Sequence, residues 1–258
     1  MPEGDTIRYA VSRMRPVLEG RIPDDIATPQ PRHAVDRWPQ RLAGRAVRTI
    51  DAHGKHLFVR FEGGLTLHSH LRMSGAWAVH EHGRRWRRSP PRAWFVIRTP
   101  SHEVVEFDGP VLELLADSRT RFDQRLRCLG PDVLAEAGFD SERFLRRLRE
   151  EDPGRGIGDA VLDQRIVAGI GNVWKAEACW SAGVDPWRPV GRVGNAEALA
   201  IIEQARAAMQ ESARTGRHGR RSVYERLGRP CPRCGKAIRA RGQGDANRTT
   251  FWCPGCQR

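Results

Sequence analysis

Pro2 and Glu3 are the first residues whose types and order could do covalent chemistry. If Met1 is removed, as a small second residue normally permits, Pro2 exposes a secondary amine with a carboxylate beside it. An α-amino group has an ordinary pKa of about 7.7 to 8, so near neutrality part of it is unprotonated and can attack a carbonyl-type carbon to form an iminium. Glu3 could then move protons. Lysine is a second possible nucleophile or proton carrier, and only Lys55, Lys175 and Lys236 are lysine among 44 basic residues. Arginine stays charged at any working pH, whereas an ammonium can lose its proton, so lysines in this background merit attention.

The clearest ligand pattern lies at the far end. Cys231-Pro-Arg-Cys234 and Cys253-Pro-Gly-Cys256 form two Cys-x-x-Cys knuckles at the spacing of a four-thiolate zinc site. One structural zinc ion is expected, giving folding energy and not chemistry. Cys128 and Cys179 are left over and read as buried free thiols. His68 and His70 share a strand face at period-two spacing, which could suggest a metal, but no third ligand stands near them in sequence.

The net charge is +13, with 44 Lys and Arg against 31 Asp and Glu. Such a balance points to a polyanion, with nucleic acid as the leading candidate. A membrane surface is the competing partner, yet no apolar run approaches the ~20 residues that span a bilayer and no signal-peptide core follows Met1. The chain therefore reads as cytosolic.

The elements that must position these groups fall into two blocks. Asp5 is expected to cap a helix with the stripe Ile7, Ala10, Val11, Met14 and Leu18, ending near Gly20, with Pro16 as a kink or early stop. From about Ala46 the period becomes two. Leu57, Val59 and Phe61 alternate with polar residues, Glu62-Gly63-Gly64 turns the chain, and Leu65 and Leu67 resume the alternation. Further strands are expected at Trp77 to Val79, Ala93 to Arg98 and Val104 to Phe107, so residues 1–115 predict a β-sandwich with one leading helix. Lys55 opens the first hairpin strand, and Leu71 to Gly75 reads as a strand end turning into a loop. Met73 there could be core, or a wedge that enters a base stack. Arg84-Arg85-Trp86-Arg87-Arg88 reads as a solvated loop, with phosphate tracking as the alternative.

Residues 116–130 are expected to be a linker, and 131–215 a helical domain. Short helices are predicted over Pro131 to Gly138 and up to Val167, a helix capped by Asp140 carries Phe144, Leu145 and Leu148, and one capped by Asn195 runs through Met209. Gly169, Gly171 and Asn172 break the helical pattern before another helix begins at Val173. Two helices joined by such a turn aim backbone amides and the Asn172 amide outward, as a phosphate clamp would, although an ordinary tight turn fits equally. Residues 225–258 form the zinc ribbon, which carries Arg239, Arg241 and Arg248.

MPEGDT at the start, HGK at 53–55, GIGN at 169–172 and the terminal CPRC and RTTFWCPGC together resemble the Fpg/Nei DNA glycosylases, within them the endonuclease VIII branch. The resemblance covers nearly the whole chain. It implies an α+β multidomain protein: an N-terminal β-sandwich, a helix-two-turns-helix domain and a zinc finger. It further implies a monomer acting on damaged double-stranded DNA, with Pro2 as nucleophile, Glu3 as general acid/base and Lys55 assisting at the phosphate. Asn172 and Arg248 would grip phosphates, and Met73 would be the wedge. The implied reaction is base removal followed by β,δ-elimination at the abasic site. In place of the Pro-Arg-Arg-Phe-Gly segment typical of 8-oxoguanine enzymes stands Phe107-Asp108-Gly109-Pro110-Val111, which favours oxidised pyrimidines, whereas Leu71-Arg72-Met73 is nearer the 8-oxoguanine branch. A non-enzymatic zinc-dependent DNA-binding protein would also explain the charge and the cysteines, but would not need Pro2, Glu3 and Lys55 together.

Overall fold

The computed structural model describes residues 2–31 and 35–258, so the fate of Met1 lies outside the described residues. The chain divides into two compact units: Pro2 with Thr6–Arg127, and Glu3–Asp5 with Cys128–Arg258. The break falls within the expected linker 116–130, which itself folds into two short helices, α3 (Asp117–Phe122) and α4 (Gln124–Arg127). Helix α2 is Trp38–Leu42.

In the first unit, helix α1 (Gly4–Leu18) buries Ile7, Val11, Met14 and Leu18 at helical spacing against two four-stranded antiparallel sheets. Pro16 does not stop the helix, which continues to Leu18. Proline there forfeits the one bond its own N–H would have given to Ser12 O, and the helix ends two residues later. Nor is Asp5 the cap: it lies inside the first turn, and its carboxylate accepts from Ser212 Oγ at 2.5 Å. One sheet has the order β2 (Val47–His53), β3 (His56–Phe61), β4 (Leu65–His70), β8 (Val111–Ala116). The other has the order β1 (Asp25–Ala27), β6 (Ala93–Arg98), β7 (His102–Phe107), β5 (Ala76–Glu81). Alternation places Leu57, Val59, Phe61 and Leu67 of one sheet and Phe95, Ile97 and Val104 of the other in a single core.

The second unit is helical and ends in a two-stranded ribbon. Asp140 caps helix α5 (Ser141–Arg149), its carboxylate accepting from Arg143 N at 2.9 Å. The expected helix over Pro131 to Gly138 is absent. The Asp132 carboxylate takes Leu134 N at 2.9 Å, and Val133 N bonds Ala168 O, so the segment forms turns and a bridge in place of helical bonds. The helical turn expected up to Val167 lies earlier, as α6 (Ile157–Ala160). Beyond it the Gln164 amide donates to Leu162 O and Ile170 O and accepts from Gly169 N, fixing a turn. Helix α7 (Asn172–Ala182) and the 21-residue α8 (Asn195–Thr215) pack against each other. Gly194, not Asn195, caps α8, because Asn195 Oδ1 is taken by the Arg149 guanidinium and Glu197 closes back on Gly194 N. The ribbon strands β9 (Arg239–Gln243) and β10 (Arg248–Trp252) share a small core of Ala176, Val223, Cys231, Ile238 and Cys253 with α7. No helix of the described residues is long and apolar enough to cross a membrane.

Candidate active site

Glu3 is fully buried, and its carboxylate sits on the N-terminus of α7. Oε2 accepts from Gly171 N at 2.9 Å and Trp174 N at 3.3 Å, and Oε1 accepts from Val173 N at 2.9 Å. These are amides that a helix leaves without internal partners, and the helix dipole adds to their attraction for a negative charge. The approach is possible only because residue 171 is glycine. A Cβ there would lie 2.3 Å from Glu3 Cδ. Gly4 N donates to Gly169 O at 2.9 Å, and Gly169 takes φ 107°, a left-handed conformation that glycine adopts without strain. The PEGD and GIGN stretches are therefore two halves of one clamp. A reader of the sequence sees a catalytic motif and a turn motif, but the reason each needs its glycines lies in the other.

Other polar groups fasten this helix. Asp5 is buried beside Ser212, and its Oδ2 lies 3.6 Å from His218 Nδ1, whose ring stacks on Trp174 at 5.6 Å. Lys175 is fully buried, donates to Thr250 Oγ1 at 2.6 Å, and connects α7 to β10. Burial lowers its ammonium to about 8, while Cys179, Asp159 and Glu3 pull it back up. Thr250 Oγ1 in turn donates to Gln243 Oε1. Glu177, two residues after Lys175, accepts from Ser222, Val223 and Tyr224 N at 2.8 to 3.0 Å, holding the segment that leads into the ribbon. The sequence signal for Lys175 was its rarity; none marked Glu177.

Asn172 is nearly buried at the start of α7, and its Nδ2 donates to Thr249 O at 2.8 Å. Its neighbour across that bond is therefore the ribbon strand that begins with Arg248. Arg248 is exposed, opposite Gln243 at the hairpin end. Glu3, Asn172 and the ribbon are thus brought together within the second unit.

In the first unit, Pro2 is half-buried, Lys55 sits in the β2–β3 turn after Gly54 (φ 56°), and Met73 is 61% exposed on the loop after β4. Beside Lys55, His53, His56, His68 and His70 face one another across three strands. His68 and His70 do not form a metal site with a third ligand among the described residues. Glu113 accepts from His68 Nδ1 at 3.1 Å, which makes His68 Nε2 an acceptor and His56 Nδ1 the donor of the 2.8 Å bond between them. Burial, with neighbouring histidines and Arg72, lowers His56 to about 2; burial, with Arg72 and Lys55, lowers His70 to about 4. His56, His68 and His70, all lowered by burial, are neutral near pH 7.

The four cysteines of the ribbon converge, with all four Sγ atoms within 4.8 Å of one another. Cys234 and Cys253 Sγ are 3.4 Å apart, and Cys231 and Cys256 3.8 Å. Four thiolates at about 2.3 Å from a tetrahedral zinc would be about 3.8 Å apart, so the residues fit the ion. Arg233 N and Trp180 Nε1 both donate to Cys231 Sγ at 3.4 Å, as suits a thiolate ligand. Cys128 is only half-buried, and Cys179 is buried with its thiol pushed up to about 12 by desolvation.

Two family models match this chain: the formamidopyrimidine-DNA glycosylase N-terminal domain over residues 1–121, and the formamidopyrimidine-DNA glycosylase H2TH domain over 129–223. The chain belongs to the Fpg/Nei family of DNA glycosylases. A Streptomyces coelicolor protein named "Probable endonuclease 8 2" is 43% identical, covering 100% of this chain and 94% of its own length. A Mycolicibacterium smegmatis protein named "DNA-(apurinic or apyrimidinic site) lyase Nei2" is 37% identical over 100% of this chain and 99% of its own. Among solved structures, Lactococcus lactis Fpg in complex with a DNA containing N7-benzyl-Fapy-dG superposes over 100% of both chains, with TM-score 0.82 and 22% identity. This last likeness concerns the fold, an Fpg-like sandwich followed by an H2TH domain.

Proposed function

We propose that this protein is a bifunctional glycosylase and abasic-site lyase that removes oxidised bases, chiefly pyrimidines, from double-stranded DNA. The observation that carries the reading is the Glu3 clamp. A carboxylate held by three backbone amides directly follows the residue whose amine would attack, so the two reacting groups are separated by one peptide unit and one of them is fixed.

In this reading the Pro2 nitrogen, freed by loss of Met1, attacks C1′ of the damaged nucleotide. The N-glycosidic bond breaks, the base leaves with its electron pair and takes a proton, and the sugar ring opens as an iminium on Pro2. The iminium acidifies C2′, loss of that proton expels the 3′ phosphate, and a second elimination expels the 5′ phosphate. Glu3 carries protons in these steps, Lys55 assists at the phosphate, and Asn172 and Arg248 contact the backbone. Met73 fills the stack from which the base is flipped. The four cysteines hold one zinc ion, whose contribution is the folded ribbon that presents Arg248.

Pyrimidine lesions are supported by the replacement of the Pro-Arg-Arg-Phe-Gly segment with Phe107-Asp108-Gly109-Pro110-Val111, which lacks the paired arginines. The test uses duplexes bearing a single thymine glycol or a single 8-oxoguanine under single-turnover conditions. Faster cleavage of the thymine glycol strand is expected, and a preference for 8-oxoguanine would reassign the substrate. Pro2→Gly should bind both duplexes and cleave neither; cleavage by this variant at the wild-type rate would remove Pro2 as the nucleophile, and binding without cleavage by the wild type would leave a non-enzymatic DNA-binding protein.

A further inference from the structure

A run of four arginines around one tryptophan would ordinarily be a solvated loop, yet here it is fastened. Trp86 donates from Nε1 to Glu103 Oε2 at 2.9 Å and sets its ring edge-on to Phe107 at 5.8 Å, joining the small cluster of Ala93, Val96, Val105 and Phe107. Two residues on, Arg88 donates to Ser74 O and to Asp108 Oδ2, both at 2.8 Å, and Arg92 donates to the same carboxylate oxygen. The loop between β5 and β6 is thus pinned at its centre and at its C-terminal side.

The pins divide the arginines into two sets. Arg88 and Arg92 share the carboxylate of Asp108. Arg84, Arg85 and Arg87 are exposed, and Arg84 meets only the exposed Glu81 at 3.3 Å, an ion pair of small worth. Arg85 and Arg87 form no ion pair among the described residues. They line a recess of about 580 Å³ along the loop. Arg87 also shares a smaller recess with Arg13 of α1, itself exposed, beside Tyr9 and Trp77. The result is a run of guanidinium groups on a backbone that is already ordered.

We propose that Arg13, Arg84, Arg85 and Arg87 form an additional contact surface for the phosphate backbone of duplex DNA, separate from the groups that carry the chemistry. Planar guanidinium forks match phosphate oxygens bidentately, and a pre-ordered loop spends less entropy on meeting them than a free one. Contacts to phosphate oxygens carry no base information, so the affinity this surface adds is expected to be independent of sequence.

The proposal rests on duplex DNA being the partner, and its test separates that reading from the surface itself. The affinity of the zinc-loaded protein for an undamaged duplex is measured from 50 to 300 mM salt, for the wild type and for the triple variant Arg84→Ala, Arg85→Ala, Arg87→Ala. Each lost phosphate contact removes about 0.9 from the slope of log K against log salt. The triple variant should flatten the slope by roughly 2 to 3, and replacing the same three residues by lysine should restore it. Single-turnover cleavage of an abasic duplex at saturating enzyme should equal the wild-type rate. An unchanged slope in the alanine variant would overturn the proposal. Absence of cleavage by the wild type, with the slope still falling, would instead overturn the enzymatic reading and leave the surface standing.

Discussion

Pro2 and Glu3 are consecutive in the chain, yet they belong to different packing units and are treated in opposite ways. The first unit keeps its candidate groups partly open: Pro2 and Lys55 are half-buried, and Met73 is exposed. The second buries Glu3 on the α7 amides, Asn172 on Thr249 O and Lys175 on Thr250 Oγ1, and leaves Arg248 exposed. Under the proposed function a nucleophile and a wedge would have to reach a substrate and a proton carrier to stay at one place, which is the pattern of burial seen here. The polar devices differ too. The first unit relies on neutral histidines facing one another, the second on carboxylates at amides and on four clustered cysteines.

Four changes would break or sharpen this contrast. The largest effect is expected from the ribbon. Chelation of zinc, or Cys253→Ser, should unfold residues 225–258 and abolish tight DNA binding, because the structural metal supplies the folding energy of so small a unit. The melting of the β-sandwich should stay in place, and a sandwich that melts along with the ribbon would contradict the division. Next is Gly171→Ala. Its backbone is extended (φ −118°), so alanine is conformationally allowed, and the three atoms nearest its Cβ all belong to Glu3, the closest at 2.3 Å. Cleavage should fall about 100-fold, as a displaced catalytic group costs, with DNA affinity little changed. Wild-type cleavage in this variant would show that the clamp is dispensable.

The third concerns pH. His56 and His70 ionise in the unfolded chain near 6.5 but only at about 2 and about 4 when folded, chiefly through burial. Below 6.5 the unfolded state binds more protons, so stability is full above that pH and is lost on acidification through 6.5 toward 4. The loss is at most about 1.4 kcal/mol per pH unit for each histidine. Melting curves of the wild type between pH 7 and 5 should show the first transition falling, and His56→Phe should flatten it. A wild-type transition that is flat over this range would contradict the neutral cluster. Smallest is Met73→Ala, which should leave melting within about 0.5 kcal/mol, since the side chain is exposed. Binding to lesion-bearing duplex should weaken by up to roughly tenfold, about 1.4 kcal/mol; equal affinity would remove Met73 as the wedge.

What could be read from the sequence follows the range of the interactions. Period-two alternation made the hairpin at Leu57 to Leu67 visible, and the Asp140 cap and the Cys-x-x-Cys pairs announce themselves within a few residues. The helix expected at Pro131 fails because one aspartate side chain outcompetes a helical bond, which hydrophobic pattern does not register. Asn195 and Asp5 were reasonable caps by residue type, but distant partners, Arg149 and Ser212, claim their side chains. The clamp itself joins residues 168 to 171 positions apart, so no local window contains it. Strand β8 went unmarked for a related reason: its Glu113 has meaning only opposite His68.

The proposed chemistry requires Pro2 to be the nucleophile. Borohydride reduction of the protein mixed with a duplex containing one abasic site, followed by mass spectrometry of the trapped peptide, tests this directly. A DNA adduct on an N-terminal peptide beginning at Pro2 is the predicted result, and it would establish the removal of Met1 at the same time. An adduct on Lys55 or Lys175, or binding of the duplex with no adduct at all, would contradict it.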